Sequence, residues 1–76
     1  MWKEENNQLV KSFLFEDFKE AFGFLQQVAF LAEEQNHHPE IYNAYNKVTL
    51  KLTTHDAGNT VTQKDRKLAE AIDKIS

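Results

Sequence analysis

A run of apolar residues at helical spacing limits the possible folds more than any other feature of this chain. Phe18, Ala21, Phe22, Leu25, Val28, Ala29 and Ala32 follow the i, i+3, i+4, i+7 rule without a break, which predicts an amphipathic helix from about Asp17 to Gln35. Glu16 and Asp17 place negative charge at its start, where the helix dipole favours it. Asn36 is a reasonable stop, and Pro39 opposes continuation past His38 because the residue before a proline is pushed out of the α region. A helix with one apolar stripe must bury that stripe against another layer.

Short alternating segments supply that layer. Trp2 to Phe15 reads as a hairpin turning at Asn6-Asn7, since asparagine tolerates positive φ, and Phe13 and Phe15 share one face of its second arm. Ile41 to Tyr45 and Val48 to Thr53 read as a second hairpin, turning through Tyr45-Asn46-Lys47. Val48, Leu50 and Leu52 alternate with Lys47, Thr49, Lys51 and Thr53, the pattern of a strand with one buried and one wet face. Asp56 to Asn59 reads as a loop. Thr62 then caps a last helix, with Asp65 where a capping-box acid sits and Leu68, Ala71, Ile72 and Ile75 as its stripe. The expected order is ββαββα over residues 1–76 as a single domain: an α+β fold in which two helices cover one face of a four-stranded antiparallel sheet.

Composition narrows the function classes. With 76 residues and no cysteine, the core is thin and no disulfide or thiolate metal site reinforces it, so subunit association is attractive. Phe24 and Leu31 fall at the margin of the first helix's stripe and Phe30 well away from it, which marks them as a candidate surface between subunits. The net charge is −3 and the nine Lys and Arg residues are scattered, so direct nucleic-acid binding is not expected. No apolar run approaches the roughly 20 residues that cross a bilayer, and the polar Met1-Trp2-Lys3-Glu4-Glu5 start is unlike a signal peptide, so a cytoplasmic location is expected.

The candidate chemistry lies in His37, His38 and His55, all on loops or strand ends. Histidine exchanges protons near neutral pH, and strand parity would leave His55 accessible on the side of Thr49, Lys51 and Thr53. Spacing leaves three readings open: surface histidines without a role, a metal site, or acid–base catalysis. An adjacent His pair with one distant His is not a recognised ligand spacing. No glycine-rich phosphate loop, Gly-x-Ser-x-Gly elbow or cysteine nucleophile is present, and Glu33/Glu34 read first as a solvated helix face.

The stretches Ala32-Glu33-Glu34-Gln35-Asn36-His37-His38-Pro39-Glu40, Asn43-Ala44-Tyr45-Asn46-Lys47-Val48 and Thr53-Thr54-His55-Asp56-Ala57-Gly58 resemble the pterin-4a-carbinolamine dehydratase family. The family pattern is an acid, three residues, His-His-Pro, an aromatic, a third His and a later Asp; Glu33, His37, His38, Pro39, Tyr45, His55 and Asp65 match it in order. The likeness runs from about Phe13 to Asp73, with two departures. Family members usually carry a helix before the first strand, whereas this chain begins near the Trp that follows it. They also usually carry a second glycine where Asn59 stands, and asparagine is the best substitute if that position needs positive φ.

The resemblance implies dehydration of a 4a-hydroxytetrahydropterin to the quinonoid dihydropterin, recycling the pterin of aromatic amino-acid hydroxylases without a cofactor or metal. It implies His37 and His55 as the acid–base pair and His38 as a further catalytic and pterin-orienting residue. Glu33, Pro39, Tyr45 and Asp65 would complete the substrate site, with Glu33 bonding an imidazole and Asp65 anchoring the site. It further implies homodimers that join sheets or homotetramers that pack helices. Two alternatives sit on the same fold: a non-enzymatic interaction or assembly protein, and an enzyme acting on another pterin, such as in molybdopterin metabolism.

Overall fold

A computed structural model describes all residues from Met1 to Ser76. Its strands are β1 (Lys3–Glu5), β2 (Gln8–Leu14), β3 (Glu40–Ala44) and β4 (Lys47–Leu52). Its helices are α1 (Phe18–Gln35) and α2 (Gln63–Ile75), and a single 3-10 turn spans His55–Ala57. The chain order ββαββα forms one antiparallel sheet in the spatial order β1-β2-β4-β3. The sheet is thus two hairpins joined through their second strands.

Local chemistry explains each hairpin. Asn6 and Asn7 have φ of 51° and 63°, the double positive φ that a two-residue type I′ turn requires. In the second hairpin Tyr45 has φ 53°, and the Asn43 amide braces the turn by donating to the Lys47 carbonyl at 2.9 Å. Between the hairpins, Leu9, Lys11 and Phe13 of β2 stand opposite Leu52, Leu50 and Val48 of β4. Those positions face the helices, while Ser12 and Thr49 share a 2.9 Å hydroxyl hydrogen bond on the open face.

The core lies between the sheet and both helices. Leu9, Val48, Leu50 and Leu52 meet Ala21, Phe24, Leu25 and Val28 of α1 and Leu68, Ala69 and Ile72 of α2. Burial of this apolar surface is the main stabilising term, at about 25 cal/mol per Å².

The buried arc of α1 differs from the one expected. Phe24 is in the core, with its ring 4.8 Å from that of Phe13 and 5.0 Å from that of Phe15, and Leu31 is half-buried. Phe18 and Phe22, assigned to the core by periodicity, are about half exposed, and Ala29 is exposed. The reason is geometric. α1 is covered by the sheet below and by α2 on its flank, where Leu31 shares a groove with Ala71 and Ile75. Its buried arc therefore rotates toward α2 and leaves Phe18, Phe22 and Phe30 outward. In α2, Ala69 is buried where periodicity favoured Ala71, which is only half-buried.

Candidate active site

The end of α1 aims the first two histidines. Asn36 adopts the left-handed conformation with φ 51°, its N–H bonds the Glu33 carbonyl at 3.2 Å, and the His37 N–H bonds the Ala32 carbonyl at 3.0 Å. This is the Schellman arrangement, which satisfies the last helix carbonyls and turns the chain sharply. The turn sends His37 toward the start of α2.

At that start Thr62 is the N-cap. Its hydroxyl accepts from the Lys64 N–H at 3.3 Å, while Asp65 Oδ2 accepts from the Thr62 N–H at 2.8 Å, completing a capping box with Asp in place of the usual Glu or Gln. Asp65 also accepts from the Thr54 hydroxyl at 2.7 Å, and its Oδ1 lies 2.5 Å from His37 Nε2. Thr62 and Thr54 hydroxyls are 2.7 Å apart. Asp65 has no solvent exposure, so three groups, the His37 ring, the Thr54 hydroxyl and the Thr62 N–H, replace its hydration. Burial pushes its pKa up, but the bonds from His37, the Thr62 N–H and Thr54 outweigh that and hold the carboxyl below its ordinary value.

That arrangement decides which nitrogen His37 presents. A carboxylate only accepts, so Nε2 carries the proton that bonds Asp65, and Nδ1 is left for other partners.

The other two histidines have their own partners. His38 Nε2 lies 2.6 Å from Glu33 Oε2, both groups being exposed. After β4 ends at Leu52, Thr54 pairs with Thr60 in an isolated bridge, and His55 begins the 3-10 turn. His55 is exposed, as expected, although the strand stops before reaching it. Its Nδ1 lies 2.6 Å from Asn59 Oδ1.

All three imidazoles line one open cleft of about 270 Å³. Asn36, Thr53, Thr54, Asp56 and Lys64 complete its lining, and no hydrophobic side chain enters it. The cleft thus gathers the α1 terminus, the β4–α2 connection and the first turn of α2.

The remaining residues named from sequence lie around it or apart from it. Asp65 sits behind the cleft wall, Glu33 behind His38, and Pro39 is half-buried just past the histidine pair. Tyr45 is exposed in the β3–β4 turn, the opposite end of that hairpin from His38 and His55. At about 3.3 Å per strand residue it lies well over 10 Å from the cleft. Sequence reasoning missed Thr54, Lys64 and the contact made by Asn59. For Thr54 and Asn59 the only available sign was a polar residue within four positions of a histidine.

Known proteins share both the sequence and the fold of this chain. The family model described as pterin 4 alpha carbinolamine dehydratase matches residues 1–75. The chain belongs to that family. A Prochlorococcus marinus protein provisionally named pterin-4-alpha-carbinolamine dehydratase is 54% identical over 74 residues, covering 97% of this chain and 77% of the relative. A crystal structure of a transcriptional coactivator/pterin dehydratase from Brucella melitensis superposes with a TM-score of 0.90 at 43% identity, covering 97% of this chain and 80% of that one. A pterin dehydratase-like protein identified as a RuBisCO assembly factor in the alpha-carboxysome superposes at 0.81 with 26% identity, covering 96% and 86%.

Proposed function

We propose that this protein is a pterin-4a-carbinolamine dehydratase that removes water from a 4a-hydroxytetrahydropterin by acid–base catalysis. The observation that carries the reading is the convergence of His37, His38 and His55 on one polar cleft, with His37 held by a buried carboxylate. Surface histidines without a role need no such support, since a buried carboxylate is costly unless fully bonded.

The chemistry needs two proton transfers. One proton goes to the 4a-hydroxyl, whose C–O bond breaks and releases water. Another leaves the adjacent ring nitrogen, and its electron pair forms the C=N bond of the quinonoid dihydropterin. His37 suits the donor role: Asp65 gives a protonated ring an ion-pair partner, and Nδ1 is the nitrogen left to deliver a proton. His55, whose partner is a neutral amide, suits the acceptor role. His38, braced by Glu33, would orient the ring, with Lys64 of the lining available to its polar edge. General acid–base help of this kind is worth about 10²–10⁴-fold. The cleft lies near the small end of the ligand-site range of about 300–1,000 Å³, which fits a bicyclic ring better than a large ligand.

Of the residues marked from sequence as a subunit surface, Phe24 is buried and Leu31 half-buried, so association is placed instead on the outward face of α1, where Phe30 is exposed together with Phe18 and Phe22. A role as an assembly protein is the second reading, favoured by the likeness to the RuBisCO assembly factor. The catalytic reading is better supported, because identity to the pterin dehydratase structure is 43% against 26% and all three histidines are present.

A titration with a stable dihydropterin analogue, followed through the histidine ring resonances, tests the binding half of the proposal. Shifts at His37, His38 and His55 together are expected. Saturating analogue that moves none of them would contradict it.

A further inference from the structure

Different acceptors stand behind the two histidines of the proposed acid–base pair. Behind His37 is the buried carboxylate of Asp65, and behind His55 is the side-chain carbonyl of Asn59. The backbone prepares that second contact. Gly58, with φ 80°, closes the 3-10 turn by bonding the His55 carbonyl at 3.1 Å. Asn59 follows with φ 58°, its N–H held by the Thr54 carbonyl at 3.1 Å. Two successive left-handed residues fold the chain back, so a side chain four positions after His55 returns to its ring. Glycine would fit this backbone equally well, so conformation alone does not require a side chain here.

We propose that Asn59 is a positioning residue for the reaction, holding His55 as the Nδ1–H tautomer so that Nε2 is the nitrogen offered to the cleft. An amide oxygen only accepts, so at 2.6 Å the His55 Nδ1 must be the donor. A neutral ring has one N–H, so Nε2 then carries the lone pair. Asn59 does this without adding charge, whereas a carboxylate there would favour the protonated ring and leave less of it neutral and free to accept a proton near neutral pH. His37, His38, Asp56 and Lys64 line the same cleft and set the remaining charge around His55. The catalytic consequence rests on the dehydratase reading; the tautomer does not.

The test uses the full chain in three forms, wild type, Asn59→Gly and Asn59→Asp, with ring-nitrogen NMR shifts and pH profiles of kcat/KM. Wild-type His55 is expected as Nδ1–H. Asn59→Gly should shift the ring population toward Nε2–H and lower kcat/KM about two- to tenfold, the population change that one net hydrogen bond sets. Its Tm should hold, because glycine accepts the left-handed backbone. Asn59→Asp should keep Nδ1–H and move the acidic limb of the profile to higher pH. An active wild type with His55 as Nε2–H, or an Asn59→Gly variant with unchanged ring shifts and unchanged kcat/KM, overturns the proposal. A wild type without activity instead sinks the dehydratase reading, and the ring shifts report on Asn59 in either case.

Discussion

His37 Nε2 and Asp65 Oδ1 lie 2.5 Å apart, joining residues separated by 28 positions in the chain. The same carboxylate closes the capping box of α2 and takes the Thr54 hydroxyl. One buried group therefore fixes the start of a helix, the connection after β4 and the orientation of a proposed catalytic ring. Stability and chemistry are coupled at Asp65 for that reason.

Replacing Asp65 by asparagine should damage both. The amide turns an N–H toward one of the donors that the carboxylate satisfied, at a cost of about 1–3 kcal/mol, and it no longer offers His37 an ion-pair partner. Dehydratase activity is expected to fall roughly 10²–10⁴-fold in a chain that still folds below a lowered Tm. Thermal unfolding and turnover on the same preparation check this; full activity at a lowered Tm would make Asp65 structural only.

Acid should unfold the protein through the same group. Asp65 and Asp73 both have pKa values held below the ordinary 3.8, where burial is outweighed by bonds from His37, Thr62 and Thr54 to the first and from Lys11 and Trp2 to the second. A depressed folded-state pKa means that the folded state binds fewer protons than the unfolded chain. Their contribution is present above about pH 4 and is lost as pH falls through the lower folded-state values. Urea midpoints measured from neutrality into acid should decline below that pH, and Asp65→Asn should flatten the decline.

Glu33 is a milder case. It holds His38 at 2.6 Å, but both side chains are well exposed, and exposed pairs contribute at most about 1 kcal/mol. Glu33→Gln should raise KM up to about fivefold with kcat and Tm nearly unchanged. Steady-state kinetics distinguishes this from a loss in kcat, which would put Glu33 in the chemistry itself.

Much of the fold was legible because its signals are local. Paired asparagines at a turn, strict alternation in β4, helical period in α1 and a Thr-x-x-Asp cap each act within a few residues. The buried arc of α1 was not legible to the same degree. Periodicity finds a wide apolar face but does not say on which flank a second helix will lie, so Phe24 and Phe22 exchanged roles. The site was legible as three histidines and an acid. The pairing of His37 with Asp65 was not, because it depends on how the Schellman turn and the α2 cap meet in space. Asn59 read only as a stand-in for glycine, since a side-chain contact across a left-handed turn leaves no periodic trace.

The rotated arc has a consequence for association. Phe18, Phe22 and Phe30 are 49%, 48% and 78% exposed on one helix of a small domain, and they form the surface proposed for association. Phe22→Gln with Phe30→Gln should move the protein to a smaller species in sedimentation while its circular dichroism stays that of the wild type. Tm should also lose its dependence on protein concentration. An unchanged sedimentation profile would place any subunit contact elsewhere.

The most direct measurement generates the 4a-carbinolamine in situ and follows its loss by absorbance with wild type, His37→Ala and His55→Ala. Wild type is expected to accelerate dehydration, and each folded variant to fall back toward the uncatalysed rate, roughly 10²–10⁴-fold below wild type. No acceleration by wild type anywhere between about pH 6 and 8, where imidazole exchanges protons most readily, would contradict the account.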